Sequence, residues 1–405
     1  MAQEIPTWLN MCFMEKILRK SENDNAIQVI DIVSKAATNK GDNYTSDMIR
    51  VNVKYSHDQS DRKIMKKKSV IVKIAPTVEG IRKDLITQSR VFNTEISMMT
   101  DTLDKMNKLI QPKYRLSGKG MYVQDDNPTL LVMEDLAPLG YRMACRHSGL
   151  NLDHCILAMR GLARFHATSV AICEKEPNQK QMYTRGIFSV EHPNEVRGFF
   201  SQGTKQLAEE MKNWSGMKKY AEKVAKLIDN IYKIGIEACK FCENDFNVIT
   251  HGDCWVNNMM FKYNDDGKPI DHIFVDFQIC SYASPALDLL YFLNTSSSQD
   301  VLEKSRDTLY NEYLDTLSVT MKQLDCKTKP PTKEELKASM KQRASFGMIV
   351  SMTILPLIMS DKDEAKDLDE IMNNDGHTPG YKNELYKKIM MKRMPMYDEL
   401  GLLDI

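Results

Sequence analysis

The chain has 405 residues, too many for one ordinary hydrophobic core, so two lobes are expected, each burying its own interior. Lys plus Arg and Asp plus Glu both number 55, a formal charge of zero, which excludes a global pull toward nucleic acid or an anionic membrane and confines any polyanion site to a local patch. The nine Cys are odd in number and scattered, which excludes a disulfide-stapled scaffold; the opening MAQEIPTWLN has no basic region followed by an apolar run, so a reducing, cytoplasmic setting is expected.

The first legible element is "DMIRVNVKY", where Ile49, Val51, Val53 and Tyr55 alternate with Met48, Arg50, Asn52 and Lys54, the two-residue period of a half-buried strand. "SHDQSDRKIMKKK" reads as a polar turn. "SVIVKIAP" is a second strand ended by Pro76, with Lys73 on the face opposite Val70, Val72 and Ile74. From 91 to 106, Phe92, Ile96, Met99, Leu103 and Met106 recur at steps of three or four, an amphipathic helix with Glu95 against its stripe.

After "YRLSGKGMYVQ", the turn "DDNP" and the apolar run "TLLVM" predict a hairpin. Beyond "EDLAPLGY" the texture changes to long helical periods, as in Leu152, Ile156, Met159, Leu162 and Phe165. The boundary is placed at about Ala137, giving a strand-rich lobe over 1–137 and a mostly helical lobe over 138–405, an α+β class. The most apolar segment, "FGMIVSMTILPLIM" at 346–359, is shorter than the ~20 residues of a membrane span and contains Pro356. A buried core helix and no membrane span are expected. Cys239 and Cys242 form a lone CxxC in a helical pattern, read as two free thiols.

The chemistry concentrates in "THGDCWVNNMMF" and the following "HIFVDFQ". Asp253 and Asn258 stand in the pattern H-G-D-x-x-x-x-N, and Asp276 ends an apolar strand. Phosphoryl transfer needs a carboxylate that orients the attacking hydroxyl and takes its proton, and hard oxygen ligands for the magnesium ions that bridge the ATP phosphates. Asp253 suits the first task, Asn258 and Asp276 the second. Either segment alone could be a polar turn capping nearby backbone. The order of the other parts weakens that reading: Lys73 on a strand and Glu95 on the next helix come first, then the loop, then the strand-end Asp.

Protein kinases carry a related H-R-D-x-x-x-x-N loop and a D-F-G motif. Here Gly252 replaces the Arg and Gln278 the final Gly, and no A-P-E follows, which points to a small-molecule kinase. In "KGDNYTSDMIRV", Asn43, Tyr44, Thr45 and Ser46 offer donors to phosphate oxygens. Glu134, Asp135 and Leu136 lie at a hinge whose main chain can pair with adenine, their acidic side chains facing solvent or ribose.

Taken together, "GDNYTSDMIRV", "VIVKIAP", "LVMEDLAPLGY", "LARFHATSVA", "THGDCWVNNMMF", "FVDFQIC", "PALDLLYFLNTS" and the late "ILPLI" resemble the ecdysteroid kinase-like family of insects. The resemblance runs from about residue 35 to the C-terminus, and that family is similar in fold to choline kinases and aminoglycoside phosphotransferases. It implies a two-lobed kinase-like fold and ATP-dependent phosphorylation of a hydroxyl on a small molecule, in the type enzymes the C-22 hydroxyl of ecdysteroids. By the same likeness Asp253 is the base, Asn258 and Asp276 hold Mg2+, Lys73 with Glu95 positions the phosphates, and Asp288 supports the catalytic loop. His251 reads as a hydrogen-bonding brace for that loop, His166 as a satisfied core residue and Trp255 as packing.

The expected partners are ATP and a small apolar molecule bearing a hydroxyl, with its pocket between helices from about 190 to 245 and those near 346 to 359. A detoxifying kinase of hydroxylated xenobiotics or plant metabolites is the alternative. An inactive kinase-like binding protein is the rival of another class; it has no need of Lys73, Glu95, Asp253, Asn258 and Asp276 together.

Overall fold

The structure is a computed structural model that describes residues 5–38, 45–59, 62–125, 127–360, 370 and 378–404. Asn43 and Tyr44 lie outside the described residues.

The first part of the chain builds a five-stranded antiparallel sheet from β1 (Gln28–Ala36), β2 (Asp47–Gln59), β3 (Arg62–Ile74), β4 (Gly120–Gln124) and β5 (Leu130–Glu134), in the order β1-β2-β3-β5-β4. The alternation seen in the sequence has a physical partner. Ile49, Val51 and Val53 of β2 and Val70, Val72 and Ile74 of β3 point to one face, where helix α1 (Met11–Glu22) buries Met14, Ile17 and Leu18 against them. Lys73, one residue out of phase, points to the other face. The 120–134 hairpin forms as expected.

The stretch 56–68 corrects the reading as a turn. β2 and β3 stay paired across it, from Ser56 opposite Met65 to Gln59 opposite Arg62. Residues 62–67 of β3 are exposed, so the ladder satisfies the backbone while polar side chains face solvent. With no buried face over residues 62–67, no two-residue period is printed there in the sequence. Helix α1 and strand β1 are additional to the elements read from the sequence.

Next come α2 (Ile81–Ser89) and α3 (Val91–Ser97), separated by Arg90 in a left-handed conformation (φ 55°). A π-helical turn over Met98–Thr102 continues α3 into α4 (Leu103–Ile110). This is the expected 91–106 helix. Its Met98, Met99, Leu103 and Met106 join one large apolar core with Met159, Leu162 and Phe165 of α5 (Leu152–Lys175).

The remainder is mainly helical. It includes short strands β6 (Tyr141–Met143), β7 (Val248–Thr250), β8 (Met259–Tyr263), β9 (Pro269–Phe274) and β10 (Ser281–Ala283), paired as β6-β8-β9 and β7-β10. This arrangement matters because it sets two loops side by side: the one leaving β7 carries Asp253 and the one between β9 and β10 carries Asp276. The apolar 346–359 segment is buried as expected, in helices Ala344–Thr353 and Leu355–Met359. No single helix among the described residues is long and apolar enough to cross a membrane. The CxxC needs one correction: the preceding helix ends at Ala238, so Cys239 caps it and Cys242 lies beyond it. All nine cysteines are free.

Candidate functional site

Three of the sequence-selected residues meet in a buried ion cluster. The Lys73 Nζ lies 2.6 Å from Glu95 Oε2 and 2.7 Å from Asp276 Oδ1. Lys73 and Glu95 are 1% and 2% exposed, so a lone charge here would be costly and the pairing decides the ionisation. Burial alone would lower the Lys73 pKa, but Asp276 and Glu95 outweigh it and hold the ammonium above its ordinary range. Burial pushes the Glu95 carboxyl up, and Lys73 opposes that push. The cluster spans the molecule: β3 supplies the cation, α3 one carboxylate and the β9–β10 loop the other.

Asp276 adopts φ 68°, a left-handed conformation that is uncommon for a residue with a side chain. Its second oxygen, Oδ2, accepts from Gln278 Nε2 at 3.2 Å, and Gln278 Oε1 in turn accepts from the Thr45 hydroxyl at 2.8 Å. The residue replacing the Gly of D-F-G thus ties the loop before β2 to the strand-end Asp. Ser46 is buried.

The loop after β7 is fixed from behind. Gly252 has φ 82°, and a Cβ there would sit 2.0 Å from the Ile279 carbonyl oxygen, so neither the conformation nor the space admits a side chain. This accounts for Gly where protein kinases have Arg. The Asp288 carboxylate accepts the backbone N–H of His251 at 2.7 Å and of Gly252 at 2.8 Å, and meets His166 Nε2 at 2.9 Å. Burial raises the Asp288 carboxyl, yet the bonds from His166 and Gly252, with the two imidazoles nearby, hold it below the ordinary range. His166 also contacts the Tyr313 hydroxyl at 2.8 Å, the satisfied core histidine expected. His251 accepts the Asp253 N–H at Nδ1 and contacts the Val275 carbonyl through Nε2 at 3.1 Å. Burial lowers its pKa, against the neighbouring Asp288 and Asp276 carboxylates. Trp255 is buried in the large core.

Asp253 is held by side-chain donors, Trp255 among them. The Tyr291 hydroxyl donates to Oδ1 at 2.7 Å and the Asn258 amide to Oδ2 at 2.8 Å. With its N–H on Asp253, Asn258 keeps its amide oxygen for another partner, and Val275 N–H anchors its carbonyl at 3.0 Å. The amide oxygen of Asn258 and the carboxylate of Asp276 are hard donors of the kind Mg2+ takes, and the Asp276 charge is near enough to Asp253 to raise its pKa. The residues therefore fit a divalent ion.

The hinge departs from expectation. Asp135 is 5% exposed and does not face solvent or ribose: its carboxylate takes Arg50 Nε at 2.7 Å, the Ser69 hydroxyl at 2.6 Å and the Ala137 N–H at 3.1 Å. The hydrophilic side chain serves to pin the hinge onto β2 and β3. Glu134 pairs with Arg115, and its own N–H donates to the Lys119 carbonyl at 2.9 Å. Leu136 is buried in a small cluster with Tyr141 and Ile273, and its carbonyl accepts from Leu139 and Tyr141.

Tyr291 and Gln278 escape a sequence reading. The only available signal for Tyr291 was its place three residues after Asp288, on the same helix face.

A sheet bearing a Lys–Glu pair, joined to a helical half that presents a D-x-x-x-x-N loop and a strand-end Asp, is the arrangement of kinase-like phosphotransferases. The chain belongs to the ecdysteroid kinase-like family, which its sequence matches over residues 40–326. No curated protein matches it. Among solved structures it is similar to a choline/ethanolamine kinase family protein from Mesorhizobium loti, at 11% identity, 87% coverage of each chain and a TM-score of 0.40. It is also similar to the amicoumacin kinase hAmiN in complex with AMP-PNP, Ca2+ and Ami, at 16% identity over 83% of this chain and 86% of that one, with a TM-score of 0.38. A third is a microcompartment-associated aminopropanol kinase, at 10% identity over 97% and 99%, with a TM-score of 0.33.

Proposed function

We propose that the chain is an ATP- and Mg2+-dependent kinase that phosphorylates a hydroxyl group of a small apolar molecule, and that the division near Ala137 separates its nucleotide-binding lobe from its acceptor-binding lobe. The observation that carries this reading is the pairing of two assemblies: the buried Lys73–Glu95–Asp276 cluster, and the Asp253 carboxylate presented on a loop braced by Asp288.

In this reading Asp253 accepts the proton of the acceptor hydroxyl as its oxygen bonds to the γ-phosphorus and ADP leaves. Tyr291 and Asn258 aim the carboxylate. Lys73, held by Glu95, neutralises phosphate oxygens, and Asn258 and Asp276 would hold the magnesium, which supplies charge neutralisation across the transferring phosphate. Family membership favours an ecdysteroid, phosphorylated at its C-22 hydroxyl, within that class.

The test is a substrate panel. Purified protein with magnesium-ATP is offered ecdysteroids, other hydroxylated steroids and hydroxylated plant metabolites, and products are read by mass spectrometry. Phosphorylated product from an apolar alcohol is expected, and Asp253→Ala should bind ATP without forming it. If ATP binds but no acceptor on the panel is phosphorylated, the kinase reading is abandoned.

A further inference from the structure

Behind the helix that braces the catalytic loop lies a cleft of about 300 Å³, within the size range of small-molecule sites. Helix Ala286–Thr295 serves both sides. Asp288 and Tyr291 bond to the loop and to Asp253, while Leu290, Leu293 and Asn294, on its opposite side, line the cleft. The cleft is therefore separate from the phosphoryl-transfer site.

Its charges are unbalanced. Arg393, 6% exposed, lines the cleft and bonds to neutral groups: the Asn294 carbonyl and the Ser351 hydroxyl, both at 2.8 Å. No carboxylate among the described residues pairs with it. Arg306 stands close enough to act on it as a like charge. Arg306 and Lys341, on the rim, likewise show no acidic partner among the described residues, whereas Lys337 and Lys392 are already paired with Asp307 and Glu303. A buried guanidinium without a counter-ion is costly, and a second one nearby adds to the cost. An incoming anion relieves both. The walls meanwhile are leucine and methionine side chains, and the buried Gln299 Oε1, which has no hydrogen-bond partner among the described residues, offers an acceptor to a ligand hydroxyl.

We propose that this cleft is a second ligand site, which takes an amphipathic monoanion: a carboxylate on an apolar chain or ring system, its head on Arg393 and Arg306 and its body against Leu290 and Leu293. A planar carboxylate suits the guanidinium fork.

Decanoate and decanol, titrated calorimetrically into the full chain below their aggregation limits, separate the contribution of the charge from that of the chain. One decanoate per chain is expected. Arg393→Met should weaken decanoate about tenfold or more while leaving decanol unchanged. The exposed double substitution Arg306→Ala with Lys341→Ala should weaken decanoate several-fold at low salt and little at high salt. Decanoate must also stay bound when ATP is added. Absence of decanoate binding, equal binding by wild type and both variants, or displacement by ATP would each overturn the proposal. Should Arg393→Met fail to fold, the rim double variant decides the matter.

Discussion

Burial and the neighbouring Asp276 carboxylate push the Asp253 carboxyl up to about 6, against hydrogen bonds from Tyr291 and Asn258 that pull it down. A base must be ionised to act, so kcat/KM is expected to fall as pH drops through about 6. Tyr291→Phe removes a donor to the carboxylate and should move that acid limb toward alkaline pH by about one unit, read from a pH–rate profile. An unmoved limb would show that Tyr291 does not set the base. The stability effect has the opposite sense from that of a salt-bridged acid. The folded pKa lies above the unfolded one, so ionising Asp253 costs the fold nothing below the ordinary carboxylate range and its full amount above about 6. Asp253→Asn removes that cost and lets the Tyr291 hydroxyl turn to accept. Its Tm at pH 7.5 should not fall below that of wild type, while kcat falls by roughly 10²–10⁴.

At the scale of elements, helix Ala286–Thr295 holds the loop through one side chain. Asp288→Ala would strand the backbone donors of His251 and Gly252 and the His166 ring, all buried. A loss of roughly 3–5 kcal/mol in denaturant unfolding is expected, with turnover falling even in the fraction that stays folded. A loss below about 1 kcal/mol would mean the loop is held by something else. This helix also shows what a sequence can and cannot disclose. Elements with one buried face print their period, which is why β2, β3, α5 and the helix over 91–106 were legible. The outer part of the β2–β3 ribbon, exposed over residues 62–67, prints no period and read as a turn. Asp253, Asn258 and Asp276 stand out as candidates in the sequence because their order and spacing match a chemical pattern. Asp135 was misread because polarity in a sequence does not distinguish a solvated carboxylate from one bound to Arg50, which lies 85 positions away. Tyr291 reads as core until Asp253 is found beside it.

At the scale of the whole molecule, Lys73 is one of the links between its two parts, beside the apolar core they share. The β3 ammonium reaches Asp276 of the helical half at 2.7 Å, and the chain of contacts continues through Gln278 to Thr45. A nucleotide held by both parts should therefore tighten the whole. Magnesium-ATP at about 100 times its Kd is expected to stabilise the fold by about 2.7 kcal/mol, a Tm rise of a few degrees in a chain of this size. Lys73→Met leaves Glu95 and Asp276 facing each other without their shared cation. The variant should melt lower than wild type, lose most of the magnesium-ATP-dependent rise and lose turnover. Losing turnover while keeping the full thermal shift would place the nucleotide away from Lys73. Losing the shift while keeping normal turnover would mean that Lys73 joins the two parts without serving the chemistry.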